Sequence, residues 1–417
     1  MLRHHPYFEL LGTLDEKDPV WTSTLAGLSV LQLIDAARED KSIIDSDWTG
    51  MRAVSDQVSS IREGNPLRRP LVRILDELRG GPAWSVINLQ LFAYGRALDL
   101  EGSWSLAVDV FDSVADLARA EKDHELAINA TTALGGAARR SGDWDRSAEG
   151  YAEAAYLADA LGDKSSGLTV RVGNANTQIA RGNLPAAQVI IDEVIREASL
   201  PGLEGVLGLA HHAAATIAFL QARYPEAVTL GYKALKTATN PTARDNIMAD
   251  MAGAFFMMGK REAARDVYLI TSITSRYQWV RWQAMINLME LASYDGNEKV
   301  FEDYGRELRY AALDPRLRSY FLLLYGEGAM RLGRHDDGLR SIAEARDFAT
   351  THKIYQVAHD AGEALAAGER TARAAEAAKA WSDGPVSDDV AHVMSELSQL
   401  RERALMSSHS EDWRQDA

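Results

Sequence analysis

"RRSGDWDRSAEGYAEAAYLADALGD", residues 139–163, sets a glycine, an acid and a tryptophan ahead of a run of alanines and tyrosines at helical spacing. Forty residues earlier the chain reads "DLEGSWSLAVDVFDSVADLARAEKD", residues 99–123, in the same order of glycine, polar residue and tryptophan. Repetition at a fixed distance marks a chain built of stacked units, so the period has to be found first. With the glycine as anchor, the series is Gly64, Gly102, Gly142, Gly182, Ala222, Gly259, Gly296, Gly333 and Gly368, in steps of 38, 40, 40, 40, 37, 37, 37 and 35 residues. Each anchor stands between two segments of helical periodicity, as "VINLQLFAYGRALDLEG" precedes "SWSLAVDVFDSVADLARA". The unit is a helical hairpin, and glycine suits its turn because a helix commonly ends on a residue with positive φ. The next residue is often Ser103, Asp143, Asn183 or Asn297, types that cap the following helix.

Further columns keep register with the anchor. Seven residues before it stand Gly95, Gly135, Ala175, Ala215, Ala252, Met289, Gly326 and Ala361, mostly small, as the close approach of two helices requires. Five after it stand Ala107, Ala187, Ala227 and Ala264, and nine after it Phe111, Tyr151, Ile191 and Tyr268 fill the space between hairpins. Pro201, Pro241, Pro315 and Pro385 follow second helices, where a helix must stop.

These columns resemble the tetratricopeptide repeat family: a small residue in the first helix, a Gly-Asp/Asn-Trp/Tyr turn, an alanine five on, a large residue four further, and a terminal proline. The match is best from Gly95 to Pro241, with Trp104, Trp144, Leu184 and Tyr224 at the aromatic turn position, and it weakens after Gly259, where Arg261, Glu298, His335 and Arg370 stand there instead. The 37–40 residue period exceeds the family's usual 34, as in long-helix variants of bacterial regulators and signal sensors. The resemblance implies an all-α fold, an α-solenoid wound as a right-handed superhelix of eight or nine hairpins, binding protein or peptide on its concave face.

The expected organisation is an N-terminal capping segment (1–49), a repeat array (50–385), a C-terminal capping helix (386–406) and a flexible tail (407–417). "DPVWTSTLAGLSVLQLIDAARED", 18–40, opens with Asp at a cap and Pro at the first helical position and then runs apolar at three-to-four spacing, so it serves as the cap that a terminal repeat needs. Nothing between 64 and 385 reads as an interdomain linker.

Sixty acidic against 45 basic side chains, a net charge of −15, disfavour nucleic acid as the main ligand. The absence of cysteine removes disulfides, thiolate metal sites and thiol nucleophiles, and suits a reducing cytoplasm. "MLRHHPYFELLGTLDEKD" lacks a secretory core and cleavage site, and the most apolar window, 206–220, is too short to span a bilayer, so no membrane association is expected. Asn129-Ala130-Thr131 is formally a glycosylation sequon without meaning in a chain that is not exported.

No reactive constellation emerges. "GAFFMMGK" (253–260) has five residues between its glycines where a phosphate loop needs four, and Arg261 stands where that loop places Ser or Thr. "HELAI" (124–128) lacks the second histidine of a zinc helix. His211 and His212 are adjacent, hence on different helical faces, and make a poor metal pair; His211 falls in an apolar column and His212 on the face lining the groove. His352 and His359 share a face only if both are helical. Neither metal nor other cofactor is expected, and the chain reads as noncatalytic.

The candidate site is the inner surface of the first helices. Positions six and thirteen before each anchor place Arg96, Asn129, Asn176, Thr216, Asn246, Gln283, Glu290, Tyr320, Glu327 and Tyr355 there. Asn129, Asn176 and Asn246 are unusual helix-interior residues whose amides suit the main chain of an extended peptide. Arg96, Arg139 and Arg140 suit a peptide carboxylate, and His212 completes the set. A solvated helix face is polar in any case, and that plain alternative stays open. Aromatic and methionine runs further on ("YQWVRWQ", "MINLMELASY", "SYFLLLYGEG") read as core between repeats, with a hydrophobic docking surface as the alternative. Two functions fit: a protein- or peptide-binding scaffold, or a peptide-responsive regulator of the bacterial repeat type without its own DNA-binding domain, since the residues before Gly64 show no helix-turn-helix. A homo-oligomer is open in both.

Overall fold

The computed structural model describes residues 3–16, 18–39, 49–238, 241–311, 313, 315–352, 354–371 and 385–409. All regular structure in them is helical, and the chain divides into two compact units, Met1–Ala198 and Ser199–Ala417. The division falls inside the array where no linker composition announces it.

The first unit holds α1 (His5–Leu11), α2 (Pro19–Glu39), and four hairpins: α3 (Thr49–Ser60) with α4 (Arg68–Gly80), α5 (Trp84–Leu100) with α6 (Trp104–Ala120), α7 (His124–Ser141) with α8 (Trp144–Leu161), and α9 (Lys164–Ala180) with α10 (Leu184–Ala198). The second holds α11 (Glu204–Leu220) with α12 (Tyr224–Thr237), α13 (Pro241–Met257) with α14 (Arg261–Thr274), α15 (Gln278–Tyr294) with α16 (Glu298–Tyr310), and α17 (Pro315–Arg331) with α18 (His335–Thr351), followed by α19 (Tyr355–Thr371) and α20 (Asp388–His409). Consecutive helices pack on one another, and successive first helices also touch: α5 on α7 and α7 on α9 in one unit, α11 on α13 and α15 on α17 in the other. First helices therefore lie side by side from α5 to α9 in the first unit, and in the pairs α11–α13 and α15–α17 in the second.

The turns are made as the anchor requires. Gly102, Gly142, Gly182, Gly259, Gly296 and Gly333 all have positive φ, and Ala222 adopts φ 58° in the same place. Each closes with the amide after the anchor bonded to the carbonyl five residues back, as Asp143 N to Ala138 O at 2.9 Å. That bond satisfies a carbonyl the helix end leaves open. The turns between hairpins, centred on Lys122 (φ 59°) and Gly162 (φ 65°), close identically through Asp123 N to Ala118 O and Asp163 N to Ala158 O. Asp123, Asp143 and Asp163, twenty residues apart, each cap the next helix by accepting from the amide three residues on. Asn183 and Asn297 cap likewise, but Ser103 makes no side-chain cap.

Packing explains the small column. A Cβ on Gly95 would lie 2.7 Å from the Phe111 ring, on Gly135 3.0 Å from Tyr151, and on Gly326 2.6 Å from Ile342. In each case the residue seven before the anchor receives the one nine after it, so small and large columns are two halves of one joint. The aromatic and aliphatic runs of the second unit are core, with Ile286, Met289, Phe321, Leu322 and Leu323 buried.

Two expectations at the C-terminal end are corrected. Gly368 lies within α19 and makes no turn, so the array shows eight hairpins plus α19 among the described residues. The helix expected to cap the array over 386–406 runs from Asp388 to His409 and lies against α12 and α14 instead of α19, because its apolar seam (Val390, Val393, Leu397) belongs to their cluster. The tail expected from 407 falls, from 410 on, outside the described residues. At the other end α1, which the sequence reading did not foresee, buries Tyr7 fully with its hydroxyl 3.3 Å from that of Tyr94. Val20–Glu39 is the one described helix long and apolar enough to cross a membrane, and over half of that window (56%) is buried inside the protein.

Candidate functional site

Residues thirteen, six and two before an anchor lie within one narrow sector of a helix, so they form a stripe along each first helix. In the first unit Asn129 on α7 is exposed and Asn176 on α9 is half-buried, and neither bonds another described side chain. The arginines behave differently. Arg140 on α7 donates to Asp99 on α5 through its Nε at 2.9 Å and through a second nitrogen, while Arg96 reaches the other oxygen of Asp99 at 3.4 Å. The Asp99 side chain is only 7% exposed, so its carboxylate is an internal partner shared by the two guanidiniums and offsets one of their two charges. Arg139 turns toward the Tyr151 phenol, which burial pushes up and the two arginines pull back, and its Nε is buried without a partner. Of the expected carboxylate receptor, Arg140 serves as a rung between hairpins, Arg96 shares Asp99 at longer range, and Arg139 turns toward Tyr151.

The second unit repeats that rung. Arg331 on α17, two before its anchor like Arg140, donates to Ser293 Oγ on α15 at 2.9 Å, three before the preceding anchor like Asp99. It also lies 3.1 Å from Glu327 and 3.5 Å from Glu290, and stacks over the Tyr294 ring at 4.0 Å. Burial pushes the Glu290 carboxyl up to about 7, with Arg331 pulling it back and Glu327 adding to the rise. Burial also raises Glu327, again against Arg331, and with the two glutamates nearby it pushes Tyr320 up to about 12. One guanidinium therefore stands between two carboxyls, leaving an uncompensated negative charge whenever both ionise. Further along, His212 Nε2 on α11 meets Asp250 Oδ2 on α13 at 2.9 Å, while Asn246 is exposed and free of side-chain partners. The exposed apolar side chains Leu209, Leu220 and Met257 lie on the same stripe.

Sequence spacing found Glu290, Tyr320, Glu327 and His212 but missed Asp99, Asp250 and Arg331. The recurrence of arginine two before the anchor, at 140 and 331, was the available signal. His211 is half-buried, and burial, then Lys233, lowers its affinity for a proton. His352 stacks on Phe348 at 4.3 Å, and His359 is exposed beside Glu363. Among the described residues no three His, Asp or Glu side chains are grouped to hold a metal. A cavity of about 280 Å³ between α1, α2 and α6 is closed by its own charges: His4 bonds Asp109 at 2.6 Å and Asp35 at 3.2 Å.

No protein-family profile matches the chain, and no curated protein matches its sequence. Among solved structures the chain is similar to the apo form of the quorum sensor NprR from B. thuringiensis (15% identity, 82% of this chain and 92% of that one, TM-score 0.47). It is also similar to NprR in complex with its cognate peptide NprX (13%, 77% and 97%, TM-score 0.48) and to aspartyl phosphate phosphatase F from Bacillus subtilis (13%, 90% and 94%, TM-score 0.46). A likeness of this degree extends to packed helices in succession and no further.

Proposed function

We propose that the protein is a noncatalytic binding module that holds a peptide or protein segment on its first helices, with the main site in the second unit. The observation carrying this reading is the stripe itself. Its members stay outside the core, polar at Asn129, Asn176, Asn246, Glu290 and Glu327 and apolar at Leu209, Leu220 and Met257, while the neighbouring stripe of small residues is consumed by hairpin packing. Asn129 and Asn176 in the first unit, and His212 and Asn246 in the second, offer amide and imidazole groups to a main chain. Glu290, Glu327 and Arg331 carry one charge too few on the positive side, which favours a lysine, an arginine or a free amine of the bound segment.

Fluorescence polarisation with labelled cationic and anionic peptides tests this. Cationic peptides bind, salt weakens them, and Glu290→Gln with Glu327→Gln abolishes the preference while helicity is retained. Because the Glu290 carboxyl is raised to about 7, it is charged above that pH, so affinity rises as pH increases through 7. Equal binding of anionic peptides, or an unchanged affinity in the double variant, overturns the reading. Asn246→Ala weakens a segment held in the second unit, and Asn129→Ala with Asn176→Ala weakens one held in the first.

The rungs between hairpins favour a second reading, a peptide-responsive regulator. A ligand that takes Asp250 or Glu290 from its partner alters a link between successive hairpins. In that case a peptide alone raises the melting temperature and changes the scattering profile; a scaffold copurifies with a macromolecular partner and shows neither.

A further inference from the structure

α20 is held where a repeat array has no need of a helix. Val390, Val393, Leu397, Leu400 and Ala404 fall at alternating steps of three and four residues, the seam of a helix that packs along its whole length. Val390, Val393 and Leu397 are buried in one cluster with Val228, Tyr232, Val267 and Ile270, and Leu400 is packed against it. Polar contacts flank the seam on both sides. The Tyr232 hydroxyl donates to Glu396 at 3.3 Å, the His392 ring stands edge-on to Tyr232 at 6.2 Å, and Arg401 donates to Asp266 at 2.7 Å. Tyr232 belongs to α12 and Asp266 to α14, so one helix grips the second helices of two successive hairpins.

Other second helices are tied differently. α6 and α8 are joined directly by ion pairs, Arg146 to Asp112 and Arg119 to Glu153. α20 takes the place of such pairs between α12 and α14, and in sequence it is separated from α19 by residues 372–387. Leaving that seat exposes the apolar seam and breaks the contacts of Glu396 and Arg401 with the array, while the helices of the array keep their own backbone hydrogen bonds. The hairpins it joins are those whose first helices, α11 and α13, carry the His212–Asp250 contact on the opposite side.

We propose that α20 is a strap: seated across α12 and α14 it fixes the setting of hairpin α11–α12 against hairpin α13–α14, and its release loosens the spacing between α11 and α13. Packed helices move as rigid bodies, so a brace at one edge of two adjoining hairpins constrains the separation at the other edge. The strap is independent of what the first helices bind.

The absence of cysteine makes the test direct, because spin labels can be placed in the full chain at will. Labels at Lys233→Cys and Gln399→Cys, both exposed, read the seat of α20; labels at Leu209→Cys and Asn246→Cys read the spacing of α11 and α13. In the otherwise native chain both pairs give narrow distance distributions. Val393→Asp with Leu397→Asp abolishes the narrow distribution of the first pair and broadens that of the second. Arg401→Gln, which leaves the apolar seam intact, gives the same two changes in smaller measure, and it decides the matter if hydrogen exchange shows α11–α14 unfolded in the double variant. A synthetic peptide of residues 386–409 restores the narrow Leu209–Asn246 distribution to the double variant. Release of α20 with the α11–α13 spacing unchanged overturns the proposal, as does a first pair that the double substitution leaves narrow.

Discussion

Gly150 of α8 faces α7 at the tightest contact of its hairpin, and adding one methyl group there tests the joint between helices. A Cβ at 150 would stand 2.7 Å from Leu134 Cδ2, 2.9 Å from the Gly135 backbone nitrogen and 3.0 Å from the Thr131 carbonyl oxygen. Leucine can swing aside, but two of the three obstacles are backbone, so α8 has to retreat from α7 by roughly half an ångström, and overpacking of this kind costs about 1–3 kcal/mol. Alanine recovers about 1 kcal/mol as the better helix former. Gly150→Ala therefore nets a destabilisation of about 0–2 kcal/mol, which speeds hydrogen exchange in α7 and α8 by up to about 30-fold. Exchange is the right assay because a repeat chain opens locally, and a global melting curve averages over both units. Gly167 in α9 is the control: a Cβ there meets nothing within 4 Å, so Gly167→Ala slows exchange by the propensity gain alone, about 0.5–1 kcal/mol. If Gly150→Ala protects α7 and α8 as well as Gly167→Ala protects α9, close helix approach is not what Gly150 provides.

His4 is held between Asp35 and Asp109, and those two partners outweigh burial to raise it to about 9. Its contribution is complete below the ordinary histidine value near 6.5 and is lost as pH rises through about 9. Proteolysis of α1 therefore accelerates between pH 7 and 9.5 in the native chain and not in His4→Ala; faster cleavage on acidification from pH 8 to 6.5 contradicts this. Ala222 has φ 58° without being glycine, so Ala222→Gly stabilises the α11–α12 hairpin by about 1 kcal/mol, read as slower exchange there; no gain means the turn tolerates a side chain freely. Arg140→Gln strips buried Asp99 of its main partner and costs about 1–3 kcal/mol in urea unfolding, whereas Arg146→Gln, whose partner Asp112 is half-exposed, costs under about 1 kcal/mol. Equal losses would argue that burial of Asp99 is immaterial.

The hairpin and its joint were legible because each is encoded within forty residues. Gly135 and Tyr151 lie sixteen apart, and a periodic sequence displays that relation directly. What escaped was longer or subtler. Arg140 read as a free cation because Asp99, which claims it, sits a whole repeat away and draws no notice as an aspartate near a helix end. Arg331 was passed over beside Glu290 and Glu327 because only positions six and thirteen before each anchor were assigned to the inner face. Gly368 kept the period yet lies inside a helix, since spacing alone does not force a positive φ. The seam of α20 was visible as a helix, but a helix pattern says only that one face is buried, never against what.

The inter-hairpin turns at Lys122 and Gly162 share the closure of the turns within hairpins, and the aspartates at 123, 143 and 163 cap alike. Nothing in a turn marks which helix is first; that distinction rests on the stripes of glycine and large residues. Excising residues 123–162 would splice Lys122 onto Asp163 and leave a legitimate joint, removing one hairpin whole. Excising 123–142 would leave an equally sound joint and set two second helices in sequence, a grammatical sentence with the wrong meaning. Between Asp123 and Asp163 length is an adjustable quantity, but only in even numbers of helices.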